Sequence, residues 1–224
     1  VVYYHDRNWY SYDVKSGNTK NITANLDVPF YNEDHDYPSQ VPSYGMVGWV
    51  EGGKSVLIND KYDVWQIPLG RGESIRITNG EGREAKRIFG IRNLGDDDNF
   101  GKSEELLLTS YHDLAKNFGF YSAQIGNSRV QRLLEDDKKF TFVAIAEDSD
   151  KILYKREAYD EFPNLWVSNN WKFNSTDQIS KLHMDLSEKW NWGKAELIDW
   201  LSLDGTFIQG VVIKPDNYDP NKKY

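Results

Sequence analysis

Short runs that alternate apolar and polar residues, separated by clusters of Gly, Asn, Asp and Ser, follow one another along most of the chain. Within them an aromatic residue returns, with a branched apolar residue about a dozen positions later: Tyr10 with Ile22, Trp65 with Ile77, Tyr121 with Leu133, and Trp166 with Ile179. The copies lie 55, 56 and 45 residues apart. A period of two places alternate side chains on one face of a strand, and Gly or Asn between two such runs supplies the positive φ of a tight hairpin. WYSYDVKSGNTKNIT from Trp9, DVWQIPLGRGESIRIT from Asp63 and FGFYSAQIGNSRVQRLL from Phe118 each read as strand, turn, strand. Units of this length that repeat, each burying its face only against its neighbours, predict an all-β fold: a partial β-propeller of about three and a half to four four-stranded blades.

Two more strands precede the hairpin in each full unit. Gly45–Trp49 and Ser55–Asn59 complete the second unit. Arg87–Ile91 and Leu106–Ser110 complete the third, with a polar insert from Asn93 to Ser103 between them, and Phe140–Ile145 and Ile152–Lys155 complete the fourth. In the first unit Val1–Tyr4 supplies the second strand, so the chain is expected to begin inside a blade. The anchors Tyr10, Trp65, Tyr121 and Trp166 then occupy the third strand of successive sheets, where Trp65 and Trp166 are expected to be largely buried. The one helix expected is short, around Asp185–Trp190.

Composition narrows the function classes. No apolar run approaches the length of a membrane span, so none is expected. A net charge of −8 argues against nucleic acid, which needs clustered Lys and Arg. The absence of cysteine removes disulfides and thiolate-bound zinc. Eight Trp residues suit stacked sheets filled by large rings.

After Asp185 the pattern changes. Ala195–Leu201 and Phe207–Lys214 are two strand-like runs joined through Asp204-Gly205, a dipeptide favoured in tight hairpins, and an Asp/Asn-rich loop punctuated by Pro215 and Pro220 follows, ending on Lys222-Lys223-Tyr224 as if cut. This text, with Ser202-Leu203-Asp204-Gly205, Gln209-Gly210 and Lys214-Pro215 through Tyr218-Asp219-Pro220, resembles the junction of prolyl oligopeptidase family serine peptidases, the group that includes dipeptidyl peptidase IV and acylaminoacyl peptidases. In that family an S-x-D-G-x-x-x-x-G hairpin opens the α/β-hydrolase domain, and K-P-x-x-F/Y-D-P-x-K-K-Y leads into its next strand. Tyr44–Trp49 and Tyr62–Gln66 are similar to propeller segments of bacterial members. The resemblance implies propeller blades over residues 1–185, the first incomplete, and over 186–224 a linker and the first hairpin of a truncated hydrolase domain. It also implies a periplasmic or secreted parent.

The family's nucleophile elbow, G-x-S-x-G, is missing. Gly126-Asn127-Ser128-Arg129-Val130 is the nearest match, lacks the closing Gly, and reads as a hairpin turn. His5, His35, His112 and His183 are scattered, with no nucleophile to partner them, so no catalytic residue is assigned and the chain alone is expected to be inactive. Asp96-Asp97-Asp98-Asn99 with Glu104-Glu105 lacks the spacing and central Gly of an EF-hand, so no metal and no cofactor is assigned. Glu104-Glu105 directly precedes a strand, whereas the paired glutamates with which dipeptidyl peptidase IV holds a substrate amino terminus lie in a helical insertion, and that role is not transferred. The acidic loop Asn32–Asp36 between blades is a contact candidate, because connecting loops are the ligand face of propellers.

The expected function is therefore the non-catalytic propeller portion of a prolyl oligopeptidase-like peptidase, gating or binding peptide, with the missing hydrolase domain and the peptide substrate as its partners. The alternatives are an independent propeller module that binds a protein or glycan, and a small hydrolase with a divergent site. Without a cover, the C-terminal hairpin is expected either to fold back or to pair with a second copy as a boundary-induced dimer.

Overall fold

A computed structural model describes residues 1–95, 97–183, 189–190, 192–215 and 217–223. It divides into two compact units, Val1–Asp137 with Trp171–Phe173, and Lys138–Asn170 with Asn174–Tyr224. Both are built from mostly antiparallel sheets, and α1, Glu81–Ala85, is the one helix whose full extent lies among the described residues. The sequence pattern did not predict α1, because five residues are too few to show a helical period. The helix expected around Asp185–Trp190, like the boundary expected at Asp185, falls largely outside the described residues.

The first unit holds three sheets. β1 (Val2–His5), β2 (Asn8–Tyr12) and β3 (Thr19–Asn21) form an up-and-down meander. The second sheet runs in spatial order β7 (Ile75–Arg76), β6 (Val64–Pro68), β5 (Ser55–Asn59), β4 (Met46–Val50) and β9 (Asn99–Phe100). The third runs β12 (Val130–Asp136), β11 (Phe118–Gln124), β10 (Glu105–His112) and β8 (Arg87–Arg92). A meander needs only short hairpin links, which the Gly- and Asn-bearing turns provide; Gly17 and Gly126 both sit at positive φ.

The second sheet is buried on both faces, and β5 shows why. Its Val56-Leu57-Ile58 run is apolar at every position instead of alternating. Val56 and Ile58 join Trp9, Ile22, Phe30, Trp65 and Ile67 in one apolar cluster. Leu57 points the other way, into a cluster with Val64, Ile77, Phe89, Phe100, Leu108 and Tyr121. Each of the three β5 residues is fully buried and contributes at most about 1.5–3 kcal/mol.

β9 lies inside the stretch read from sequence as a polar insert. It pairs parallel with β4, Trp49 against Asn99 and Val50 against Phe100. Gly48 makes this approach possible, since a Cβ there would sit 2.4 Å from the Asp98 carbonyl oxygen and 2.8 Å from the Phe100 ring. The Trp49 N–H donates to Asp98 O at 2.7 Å, and Phe100 is buried in the core.

A polar clasp repeats beneath the apolar pattern. In β2 the Trp9 N–H donates to Thr23 Oγ1 at 3.0 Å, and Thr23 Oγ1 lies 3.4 Å from Asn8 Oδ1. In β6 the Val64 N–H donates to Thr78 Oγ1 at 3.1 Å, while the Thr78 hydroxyl donates to Asp63 Oδ1 at 2.6 Å. Asp63 also accepts from the N–H groups of Gly82 (3.0 Å) and Arg83 (3.1 Å), which fastens the first turn of α1 to the sheet. Burial pushes the Asp63 carboxyl above its ordinary pKa, against the pull of the Thr78 hydroxyl. The third sheet has Gly119 at the equivalent place, where a Cβ would lie 2.6 Å from Leu134 O. There Arg87 and Glu135 (2.8 Å) do the joining, with the Tyr121 hydroxyl donating to Glu135.

The second unit contains β13 (Lys139–Ile145), β14 (Ile152–Ala158), β15 (Glu161–Ser168) and β16 (Thr176–Gln178) in sequential order, and the separate hairpin β17 (Lys194–Leu201) with β18 (Phe207–Lys214). The clasp returns in β15: the Leu165 N–H donates to Ser180 Oγ at 2.7 Å, Ser180 Oγ donates to Asn164 Oδ1 at 3.0 Å, and the Leu182 N–H donates to that same oxygen at 2.8 Å. Burial departs from expectation here. Trp166 is half-buried, with the Arg156 guanidinium 4.4 Å over its ring, and Ile179 is 57% exposed. Among the described residues, neither Trp166 nor Ile179 belongs to the apolar clusters that enclose Trp65 and Ile77.

Candidate functional site

A cleft in the first unit is formed where the β1–β2 turn faces the segment Ser39–Val41, and it encloses about 340 Å³. His5 pairs with Asn8, so Asp6 and Arg7 are a two-residue hairpin loop. Both residues have positive φ, 44° and 64°. Loops of this kind ordinarily carry Asn-Gly, because left-handed geometry crowds a Cβ. Here the strained position carries Arg, and its guanidinium lies 5.0 Å over the Tyr31 ring. Opposite, the Tyr4 hydroxyl donates to Val41 O at 3.0 Å. Burial raises the pKa of that hydroxyl against the pull of Arg7, so Tyr4 stays a neutral donor. The cleft thus offers one fixed cation beside aromatic walls and exposed Ser39 and Gln40 amide and hydroxyl groups.

The acidic loop Asn32–Asp36 lies next to this segment and is largely occupied in holding itself. Glu33 takes a forked pair of bonds from Arg83 (3.1 and 3.4 Å), which also bonds buried Asp60 at 3.1 Å. Asp34 pairs with Lys61 at 2.7 Å. The Glu33 N–H donates to the Tyr44 hydroxyl at 2.7 Å. Two of the loop's carboxylates are thereby held by cations of the same unit.

One contact was not foreseen from sequence: His35 Nε2 lies 3.2 Å from Ser39 Oγ. A serine and a histidine at that distance are two parts of a nucleophilic site, which also requires a group orienting the base and donors for an oxyanion. The Tyr37 ring packs edge-on against His35 at 5.7 Å, in an exposed loop. The other histidines stand apart. His5 neighbours Tyr10; His112 Nδ1 accepts from the Leu114 and Ala115 N–H groups and caps a turn; His183 neighbours Phe162. Gly126-Asn127-Ser128 is the β11–β12 turn. Among the described residues no three His, Asp or Glu side chains converge as metal ligands; Asp96 lies outside them. Glu104 accepts from the Gly101 N–H at 2.6 Å, and Glu105 opens β10.

A scan of protein-family descriptions matches none to this chain, and no curated protein matches it. Among solved structures the chain is similar to the isopeptidase AtxE2, as the apo protein and as a serine-to-alanine variant with Astexin3-dC4 bound. The sequence identities are 12% and 11%, and the TM-score is 0.51 for both. Each match covers 96% of this chain and 31% of the isopeptidase chain, a likeness of fold over a minor part of that protein.

Proposed function

We propose that the chain is the non-catalytic β-propeller portion of a prolyl oligopeptidase-like serine peptidase, periplasmic or secreted, binding or gating peptide ahead of an α/β-hydrolase domain. The observation that carries this reading is the β17–β18 hairpin. The junction-like residues Asp204 and Gly205 sit in its turn, with Gly205 at φ 83°, and Leu197, Leu201, Phe207, Val211 and Ile213 share one sheet face. That face is open: Phe207 is 52% and Val211 64% exposed. An isolated two-stranded hairpin is marginal in water, and an apolar face of this kind is normally covered. In this reading its cover is the hydrolase domain. The likeness of fold to a portion of an isopeptidase supports the same conclusion, and the Arg7 cleft supplies a place for a peptide's carbonyl or carboxylate groups.

Reading the coding sequence past the Tyr224 codon tests the proposal. The expected text is a strand, a G-x-S-x-G elbow leading into a helix, then an Asp and a His; a stop codon or an unrelated sequence there contradicts it. The bare chain is also expected to self-associate through the hairpin. Light scattering should give a molar mass that rises with concentration, and the double variant Phe207→Asp with Val211→Asp should return it to the monomer value. A chain that is monomeric throughout the same range would remove the need for a cover.

A further inference from the structure

A small aromatic pocket in the second unit has no part in the reading above. Ala158 pairs with Glu161, which leaves Tyr159 and Asp160 at the tip of the β14–β15 hairpin. Tyr159, Asp160, Glu161, Phe162, Pro163 and Trp192 line about 200 Å³. The Phe162 and Trp192 rings meet at 81° with centroids 5.3 Å apart, so they stand as two walls of a corner. Both outer rings, Tyr159 and Trp192, remain nearly half exposed.

The two carboxylates differ. Glu161 accepts from Arg156 at 2.7 and 3.1 Å and pairs with Lys138 at 3.0 Å, so both neighbouring cations are spent on it. Asp160 makes no ion pair among the described residues and stands exposed at the rim. Sites for drug-sized ligands enclose roughly 300–1,000 Å³. A volume this small suits a single side chain. An apolar side chain would cover Asp160 and leave its charge unpaired, which is unfavourable, whereas a cation gains both the carboxylate and the negative faces of the rings. The same chain shows the affinity of guanidinium for indole twice, with Arg156 over Trp166 at 4.4 Å and Arg76 over Trp65 at 4.3 Å.

The geometry points to a binding pocket for one basic side chain, arginine or lysine, presented by a peptide. This goes beyond the peptidase reading and stands or falls separately from it, because every residue the argument uses belongs to the second unit.

The test is a titration of the isotopically labelled full chain, followed through the Trp192 indole N–H resonance, which Trp192→Phe identifies by its loss. The probes are a capped Gly-Arg-Gly peptide, its lysine counterpart, and its citrulline counterpart, which keeps the shape and lacks the charge. The arginine and lysine peptides are expected to shift the resonance saturably with a dissociation constant of about 1 mM. Citrulline should bind at least about tenfold more weakly, since the cation is what the ring faces attract. Asp160→Asn, an exposed substitution that leaves the wall intact, should weaken the arginine peptide by about twofold to fivefold. Equal binding of citrulline, no effect of Asp160→Asn, or no saturable shift with either basic peptide would each overturn the pocket's assignment.

Discussion

Trp65→Ala should destabilise the first unit by about 3–5 kcal/mol, and Trp166→Ala the second by only about 1–2 kcal/mol. Both residues hold the same place in the repeat, so the difference comes from surroundings. Trp65 is 5% exposed, meets Phe30 edge-on at 5.9 Å, lies under the Arg76 guanidinium, and donates its indole N–H to Asp60 Oδ2 at 2.7 Å. Its removal opens a cavity and takes a partner from a carboxylate that is itself fully buried. Trp166 is only half-buried, with the Arg156 guanidinium 4.4 Å over its ring, so its removal opens less of a cavity. Denaturant unfolding of both variants, read with probes in each unit because two compact units need not melt together, measures the pair. Equal costs, or a larger cost at Trp166, would contradict this account of the packing.

Asp63→Ala should cost about 3–4 kcal/mol, because it strands three donors, the buried Thr78 hydroxyl and Gly82 N–H and the part-buried Arg83 N–H. Asp63→Asn should cost about 1–2 kcal/mol. The amide oxygen can keep Thr78 and Gly82, as Asn164 keeps Ser180 and Leu182 in the second unit, but its NH₂ group would face the Arg83 N–H, donor against donor. Hydrogen exchange at Gly82 and Arg83 separates the two variants. Both amides should exchange faster in Asp63→Ala, and Arg83 alone in Asp63→Asn. If the two variants match in stability, the clasp is not what holds α1 to the sheet.

What the sequence revealed was whatever depends on neighbours along the chain. β5 was bounded correctly at Ser55–Asn59, and all four aromatic anchors lie in the strands expected, because apolar runs between turn residues leave little choice. β9 escaped notice, since two residues carry no period and their partner strand lies some fifty residues away. The exposure of Ile179 and the half-burial of Trp166 were equally invisible: a strand's own residues say which face it prefers, not whether another sheet covers that face. The clasp leaves a mark in the sequence: Asn8 with Thr23, Asp63 with Thr78, and Asn164 with Ser180 repeat as a polar pair framing three of the four hairpins, a signal closer to the hydrogen-bonded register than the aromatic one. The acidic loop is legible from composition, but only the fold shows Arg83 and Lys61 pairing with Glu33 and Asp34. Arg7 belongs to no motif; its left-handed φ is what singles it out.

Fluorophosphonate labelling of this chain beside the full product of its gene shows whether a reactive serine lies within residues 1–224 or outside them. The account predicts one labelled serine in the full product, located beyond Tyr224, and none in residues 1–224. Labelling of Ser39, the serine that His35 approaches, or of any other serine within the chain would contradict it, as would a full product that takes up no label at all.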